Sequence, residues 1–91
     1  MGKPVDILVI DDEQVVNDAV IRICSSSGLT VDSAMDIKIA LTKLQQSVFR
    51  LIICDIMMPD GDGFHFLSEM RERQIEVPVI MTPGYSTLDN A

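Results

Sequence analysis

Two short apolar runs, ILVI at residues 7–10 and LIIC at residues 51–54, each stop abruptly on acid. The first meets Asp11, Asp12 and Glu13, and the second meets Asp55. Short continuous runs rich in β-branched residues are the pattern of parallel strands covered on both faces. Helical stripes lie between and after them. Val16, Ala19, Val20 and Ile23 recur at i, i+3, i+4 and i+7, which predicts a first helix packed through that face. Gly28 follows as its C-terminal cap. Residues 29–34 alternate weakly and predict a short second strand. Asp36 then caps a second helix whose stripe is Ile37, Ala40, Leu41 and Leu44. After LIIC, a loop dense in Pro and Gly leads to a third stripe of Gly63, Phe66, Leu67 and Met70. Pro78 opens a fourth strand over VIM, since Pro is tolerated at a strand's first residue. Residues 86–91 read as the first turn of a fourth helix, with Ser86 or Thr87 as its cap.

Strand and helix in alternation predict an α/β fold with a parallel sheet, right-handed crossovers and helices on both faces. A length of 91 residues allows one domain, and 47% hydrophobic residues suit a globular core. Fourteen acids against seven Lys and Arg give a formal charge of −7. That balance argues against nucleic-acid binding by this chain, which needs cations to neutralise phosphates. It suits a metal cation or a basic partner. Cys24 and Cys54 lack metal-ligand spacing and read as buried free thiols. No apolar run approaches the roughly 18 residues of a membrane span. The N-terminus meets acids too early for a signal peptide, so the sequence reads as cytoplasmic.

In open parallel sheets, ligands bind beyond the carboxyl ends of the strands, where strand order reverses. Asp11 and Asp12 follow the first strand and Asp55 ends the third. In the flavodoxin-like order 2-1-3-4-5 those strands are neighbours, so three carboxylates crowd one crevice. Their repulsion raises a pKa or recruits a cation, and oxygen ligands of this kind suit Mg²⁺. An Asp carboxylate beside Mg²⁺ is also a nucleophile able to form an acyl phosphate. The plainer alternative stays open: Asp11, Asp12 and Glu13 simply favour the start of the first helix. Asp60 and Asp62, beside Gly61 and Gly63, read as turn and cap residues. His65 reads as solvated, and Met57 and Met58 as loop packing, with the Met57 carbonyl available to a cation.

The segments ILVIDDE, LIICDIMMPDGDGF and VPVIMTPGYST resemble the receiver domain of two-component response regulators, over essentially the whole chain. The resemblance implies that Asp55 accepts a phosphoryl group from a histidine kinase or phosphotransfer protein and switches an output domain or downstream effector. It implies that Asp11, Asp12, Asp55 and the backbone carbonyl of Met57 hold Mg²⁺. It also implies a switch protein that promotes its own phosphorylation, not a multi-turnover enzyme. Tyr85 is the aromatic that would swing between exposed and buried positions.

Two departures accompany the resemblance. The family's switch Ser or Thr, counted without gaps from Asp55, falls on Pro83, with Thr82 one residue early. Strand side chains alternate faces, so that offset predicts a Thr82 aimed away from the site, although it is the one candidate for the hydroxyl. Family receivers also continue through a fourth helix, a fifth strand ending in Lys and a fifth helix. Residues 1–91 therefore read as a receiver domain incomplete at its C-terminus, of order 2-1-3-4(-5), with the last strand and helix absent. The fourth strand would be an exposed edge, and a homodimer is one way to cover it. A degenerate receiver acting as a protein-interaction module is the alternative. A phosphohydrolase on a similar sheet is disfavoured, because Gln14 and Val15 follow the acids where a spaced second acid would be needed.

Overall fold

A computed structural model of the chain describes residues 2–58 and 61–83. The elements run β1 (Lys3–Ile10), α1 (Gln14–Ser26), β2 (Val31–Ala34), α2 (Ile37–Gln46), β3 (Ser47–Asp55), β4 (Met57–Met58), β5 (Gly61–Asp62), α3 (Gly63–Glu72) and β6 (Val79–Thr82). The four longer strands form one parallel sheet ordered β2-β1-β3-β6. This is the flavodoxin-like arrangement the alternating pattern predicts. The loop after β3 adds a two-stranded antiparallel ladder, Met57↔Asp62 and Met58↔Gly61, that the sequence did not suggest. Asp60, Tyr85, Ser86 and Thr87 lie outside the described residues.

The direction of each crossover assigns the layers. The chain steps from β1 outward to β2, then back past β1 to β3, then on to β6. Right-handed crossovers therefore put α1 on one face and both α2 and α3 on the other. The burial agrees. Leu8, Ile10, Ile52 and Cys54 join Ile37, Ala40, Leu41, Phe66 and Met70 in one core cluster. The alternate residues Ile7 and Val9 are buried outside that cluster, on the α1 side.

The helix punctuation works through identifiable hydrogen bonds. Asp36 accepts from the N–H of Ile39 at 2.8 Å and so caps α2. Asp62 caps α3 in the same way, accepting from the N–H of His65 at 2.8 Å, and His65 itself is exposed. Gly28, at φ +84°, ends α1 in a Schellman turn. Its N–H bonds the Ser25 carbonyl, and the Leu29 N–H bonds that of Cys24. At the start of α1, Glu13 sits at the cap position without a side-chain bond.

Three sequence expectations need correction. The stripe of α1 is rotated by one residue. Ile23 is 65% exposed, whereas Asn17 is fully buried in line with Val20, Ile21 and Cys24. An apolar count skips Asn17, so it selected the neighbouring phase. The third strand starts at Ser47, directly after α2, and not at Leu51. Cys24 is only half-buried, while Cys54 is fully buried.

The two sheet edges are unlike. The outward backbone groups of Ser33 in β2 are satisfied by side chains: its N–H donates to Asp32, and its carbonyl accepts from Lys43, which also pairs with Asp32 at 2.8 Å. Such closure blunts an edge against further strand pairing. On the other edge, β6 has no second neighbour among the described residues.

Asp6 ties the start of the β1–β2 pair, accepting from the backbone N–H and hydroxyl of Thr30 at 2.9 and 3.1 Å. Those bonds, led by the backbone N–H and aided by the Arg50 guanidinium at 3.9 Å, hold its carboxyl below the ordinary value. A carboxyl lowered in the folded state adds stability that is complete above its unfolded value and lost as pH falls through the folded one. Asp6→Asn, which removes the titrating carboxyl, should therefore flatten the acid limb of a stability–pH profile. In urea melts near neutral pH, Phe66→Ala should cost about 3–5 kcal/mol and Asp36→Ala about 1 kcal/mol, both lowering the midpoint without changing the slope.

Candidate functional site

The last rung between β1 and β3 is Ile10↔Cys54, so Asp11 and Asp55 come next, side by side at the carboxyl ends of adjacent strands. This is where strand order reverses. One carboxylate oxygen from each of Asp11, Asp12 and Asp55 lies within 4.8 Å of the others. Asp11 is 7% exposed and Asp55 5%, whereas Asp12 is open to solvent. Among the described residues none of the three is in an ion pair.

Backbone donors orient the two buried acids. Asp11 Oδ1 accepts from the Glu13 N–H at 3.0 Å, and Asp55 Oδ1 accepts from the Met57 N–H at 3.2 Å. Burial pushes the Asp11 carboxyl above its usual range. The Glu13 bond opposes that rise, while Asp55, Asp12 and Glu13 add to it. The neighbouring Cys54 thiol is pushed up to about 12, first by burial and then by the charges of Asp55 and Asp11. It is inert as a nucleophile, since the thiolate is the reactive form.

The donor set fits a hard divalent cation. Three carboxylates offer only oxygen, their charges are unmatched locally, and the exposed Asp12 leaves one side open to water or a ligand. Met57 lies where the resemblance needs it, two residues past Asp55, but its side chain is 59% exposed and only Met58 packs into the core. The β4–β5 ladder folds the loop back so that Asp62 caps α3, and Gly63 donates its N–H to the Ile56 carbonyl at 2.8 Å. A Cβ at Gly63 would displace the flexible Met81 thioether end and come within 3.3 Å of the Asp55 carbonyl oxygen.

Thr82 is not aimed away. It is the register partner of Asp55, and in-register side chains of a parallel pair share a face. The count from Asp55 assumed a connection one residue longer. The ladder decides instead, through Ile52 N–H to Pro78 O and Ile56 N–H to Thr82 O, both 2.9 Å. The Thr82 hydroxyl donates to the Cys54 carbonyl at 3.4 Å, and Pro83 follows the strand. A cleft of ≈ 620 Å³ lined by Leu67, Met70, Ile75, Val77 and Val79, with Arg71 and Glu76, includes none of Asp11, Asp12 and Asp55. It opens at the other end of β6.

Residues 7–91 match the response regulator receiver domain family. The chain belongs to that family. Its relatives include the transcriptional regulatory protein ZraR of Klebsiella oxytoca, 34% identical over 99% of this chain and 20% of that protein. The response regulator Rre1 of Synechocystis is 39% identical over 88% of this chain and 36% of its own length. The receiver thus spans between a fifth and just over a third of these relatives. Among solved structures, the Francisella response regulator 1452 receiver domain superposes with a TM-score of 0.81 at 28% identity, covering 94% of this chain and 71% of that one. The beryllofluoride-activated NtrC4 receiver domain dimer gives 0.76 at 32% identity, covering 84% and 63%. No helix among the described residues of the receiver is long and apolar enough to cross a membrane.

Asn17 was missed from the sequence, although its spacing of three and seven residues from Val20 and Cys24 would have put it on the buried face. Without divalent cation, the buried charge of Asp11 opposes folding of the receiver. Asp11→Asn should raise the melting temperature in EDTA by several degrees, about 4–8 °C per kcal/mol for a domain of this size, while Asp12→Asn should change it less.

Proposed function

We propose that this chain is a phosphoryl-accepting receiver in which Asp55 is phosphorylated by a histidine kinase or phosphotransfer protein in a Mg²⁺-dependent reaction. The observation that carries this reading is the convergence of three carboxylates, two of them buried and none in an ion pair among the described residues, at the reversal point of the sheet. Asp11, Asp12, Asp55 and the Met57 carbonyl would hold the cation. When bound, Mg²⁺ offsets negative charge on the phosphoryl oxygens. The residues of the chain do the remaining work. The Met57 N–H holds Asp55 Oδ1, which leaves its other carboxylate oxygen as the nucleophile. That oxygen attacks phosphorus as the P–N bond of the phosphohistidine breaks. The imidazole departs with its electron pair and takes up a proton, leaving an acyl phosphate on Asp55.

Thr82, opposite Asp55 on the same face, is the hydroxyl positioned to trade its bond to the Cys54 carbonyl for one to the new phosphate. Such a trade would pull on β6 and carry the signal to an output domain or downstream effector. The role is that of a switch domain spanning residues 1–91, with no catalytic turnover of its own, and residency in the cytoplasm follows from a kinase donor. A second copy of the chain is a further partner, by analogy with the NtrC4 neighbour, which is a dimer.

Intact mass spectrometry tests the reading with a small-molecule acyl phosphate as donor. The parent should gain one phosphoryl group with Mg²⁺ and none in EDTA, and Asp55→Asn should gain none. Thr82→Ala should still be phosphorylated. A folded parent that gains no mass would instead make the domain an interaction module that keeps its acids without using them.

A further inference from the structure

Asn17 is fully buried in the first turn of α1, in a stripe otherwise made of Val20, Ile21 and Cys24. Its Nδ2 donates to the Asp11 carbonyl at 2.9 Å and reaches the Ala34 carbonyl at 3.5 Å, with the Met35 sulfur at 3.6 Å. Only the NH₂ end of an amide can face two carbonyl oxygens, so the side chain has one orientation. Its Oδ1 is then buried without a donor. A buried unpaired acceptor costs about 1–3 kcal/mol. Leu would fill an apolar stripe without that cost, so the amide is to be explained by what it holds.

The Asp11 carbonyl belongs to the peptide that joins Asp11 to Asp12. Asp11 is tied at its other groups as well: its N–H bonds the Ala34 carbonyl at 3.1 Å, and its carboxylate takes the Glu13 N–H at 3.0 Å. Asn17 supplies the tie that fixes the plane of the following peptide. That plane sets the direction in which Asp12 leaves the backbone. Asp12 is exposed, and its carboxylate has no hydrogen-bond or ion-pair partner among the described residues, so no other contact there directs it. Resting on the cation-binding reading above, we infer that Asn17 is the positioning residue for Asp12, holding the 11–12 peptide so that this carboxylate is directed to the place where a divalent cation would bind.

The test exploits a difference between cations. Mg²⁺ demands near-ideal octahedral geometry, whereas Ca²⁺ accepts irregular oxygen shells. Mg²⁺ and Ca²⁺ affinities are measured by isothermal titration calorimetry for the parent, Asn17→Leu and Asn17→Ser, with urea unfolding in EDTA as the stability control. The Ser hydroxyl is too short to reach Asp11 and bonds its own helix instead, so it provides a second loss of the tie if the Leu variant does not fold. Mg²⁺ binding should weaken at least tenfold, within the roughly 10–100-fold range for lost supporting contacts. Ca²⁺ affinity should change less than about threefold, since its shell tolerates a displaced ligand. Parent-like Mg²⁺ affinity in a folded variant, or equal loss for both ions, overturns the assignment of Asn17 while leaving the cation-binding reading in place. A parent that binds no Mg²⁺ overturns that reading, and the role of Asn17 with it.

Discussion

The parallel pairing of β1 with β3 is the constraint on which the rest of this domain depends. The ladder runs from Lys3↔Ser47 to Ile10↔Cys54, and the rung beyond it brings two carboxylates together where burial is nearly complete. Hydrophobic burial holds the strands: Leu8, Ile10, Ile52 and Cys54 lie at the centre of the core, and moving either strand by one residue would turn those side chains to the other face. The acids are therefore carried to one another by apolar packing, against their mutual repulsion. The raised Asp11 carboxyl reflects first the burial this packing imposes and only then the neighbouring charges of Asp55, Asp12 and Glu13.

Around this core the fold arranges backbone donors. The N–H groups of Glu13 and Met57 each hold a carboxylate oxygen, and α1 and α3 begin close by. The loop between Asp55 and α3 is drawn tight by the β4–β5 ladder, by the Asp62 cap and by Gly63 seated against Met81. β6 is thereby coupled both to the acid at the end of β3 and to the start of α3. A displacement at the end of β3 would reach Thr82 through the ladder, and Met81 lies against Gly63 at the start of α3.

The residues differ in how plainly they announced themselves. Asp11, Asp12 and Asp55 were legible because each stands at the end of a strand the apolar runs define, and the topology of alternating strands and helices leaves little freedom in where those ends meet. Asp36, Asp62 and Gly28 were legible because capping is a local event, decided within a few residues. Thr82 was misjudged because its facing depends on how β6 slides along β3, a property of the ladder and not of the residue count. Asn17 was overlooked because an apolar count skips polar residues, whereas its partners, the carbonyls of Asp11 and Ala34, arrive from outside its helix.

By itself the sequence determined the order of the four sheet strands and three helices, the parallel sheet, the core faces of α2 and α3, and the identity of the acids, since these follow from local periodicity and from the few topologies open to such a pattern. Tertiary structure decided the register of β6, the rotation of α1 that buries Asn17 in place of Ile23, and the spacing of the carboxylates. Each of these is a relation between segments distant in sequence. Its energy comes from packing and hydrogen bonds that exist only once both segments are in place.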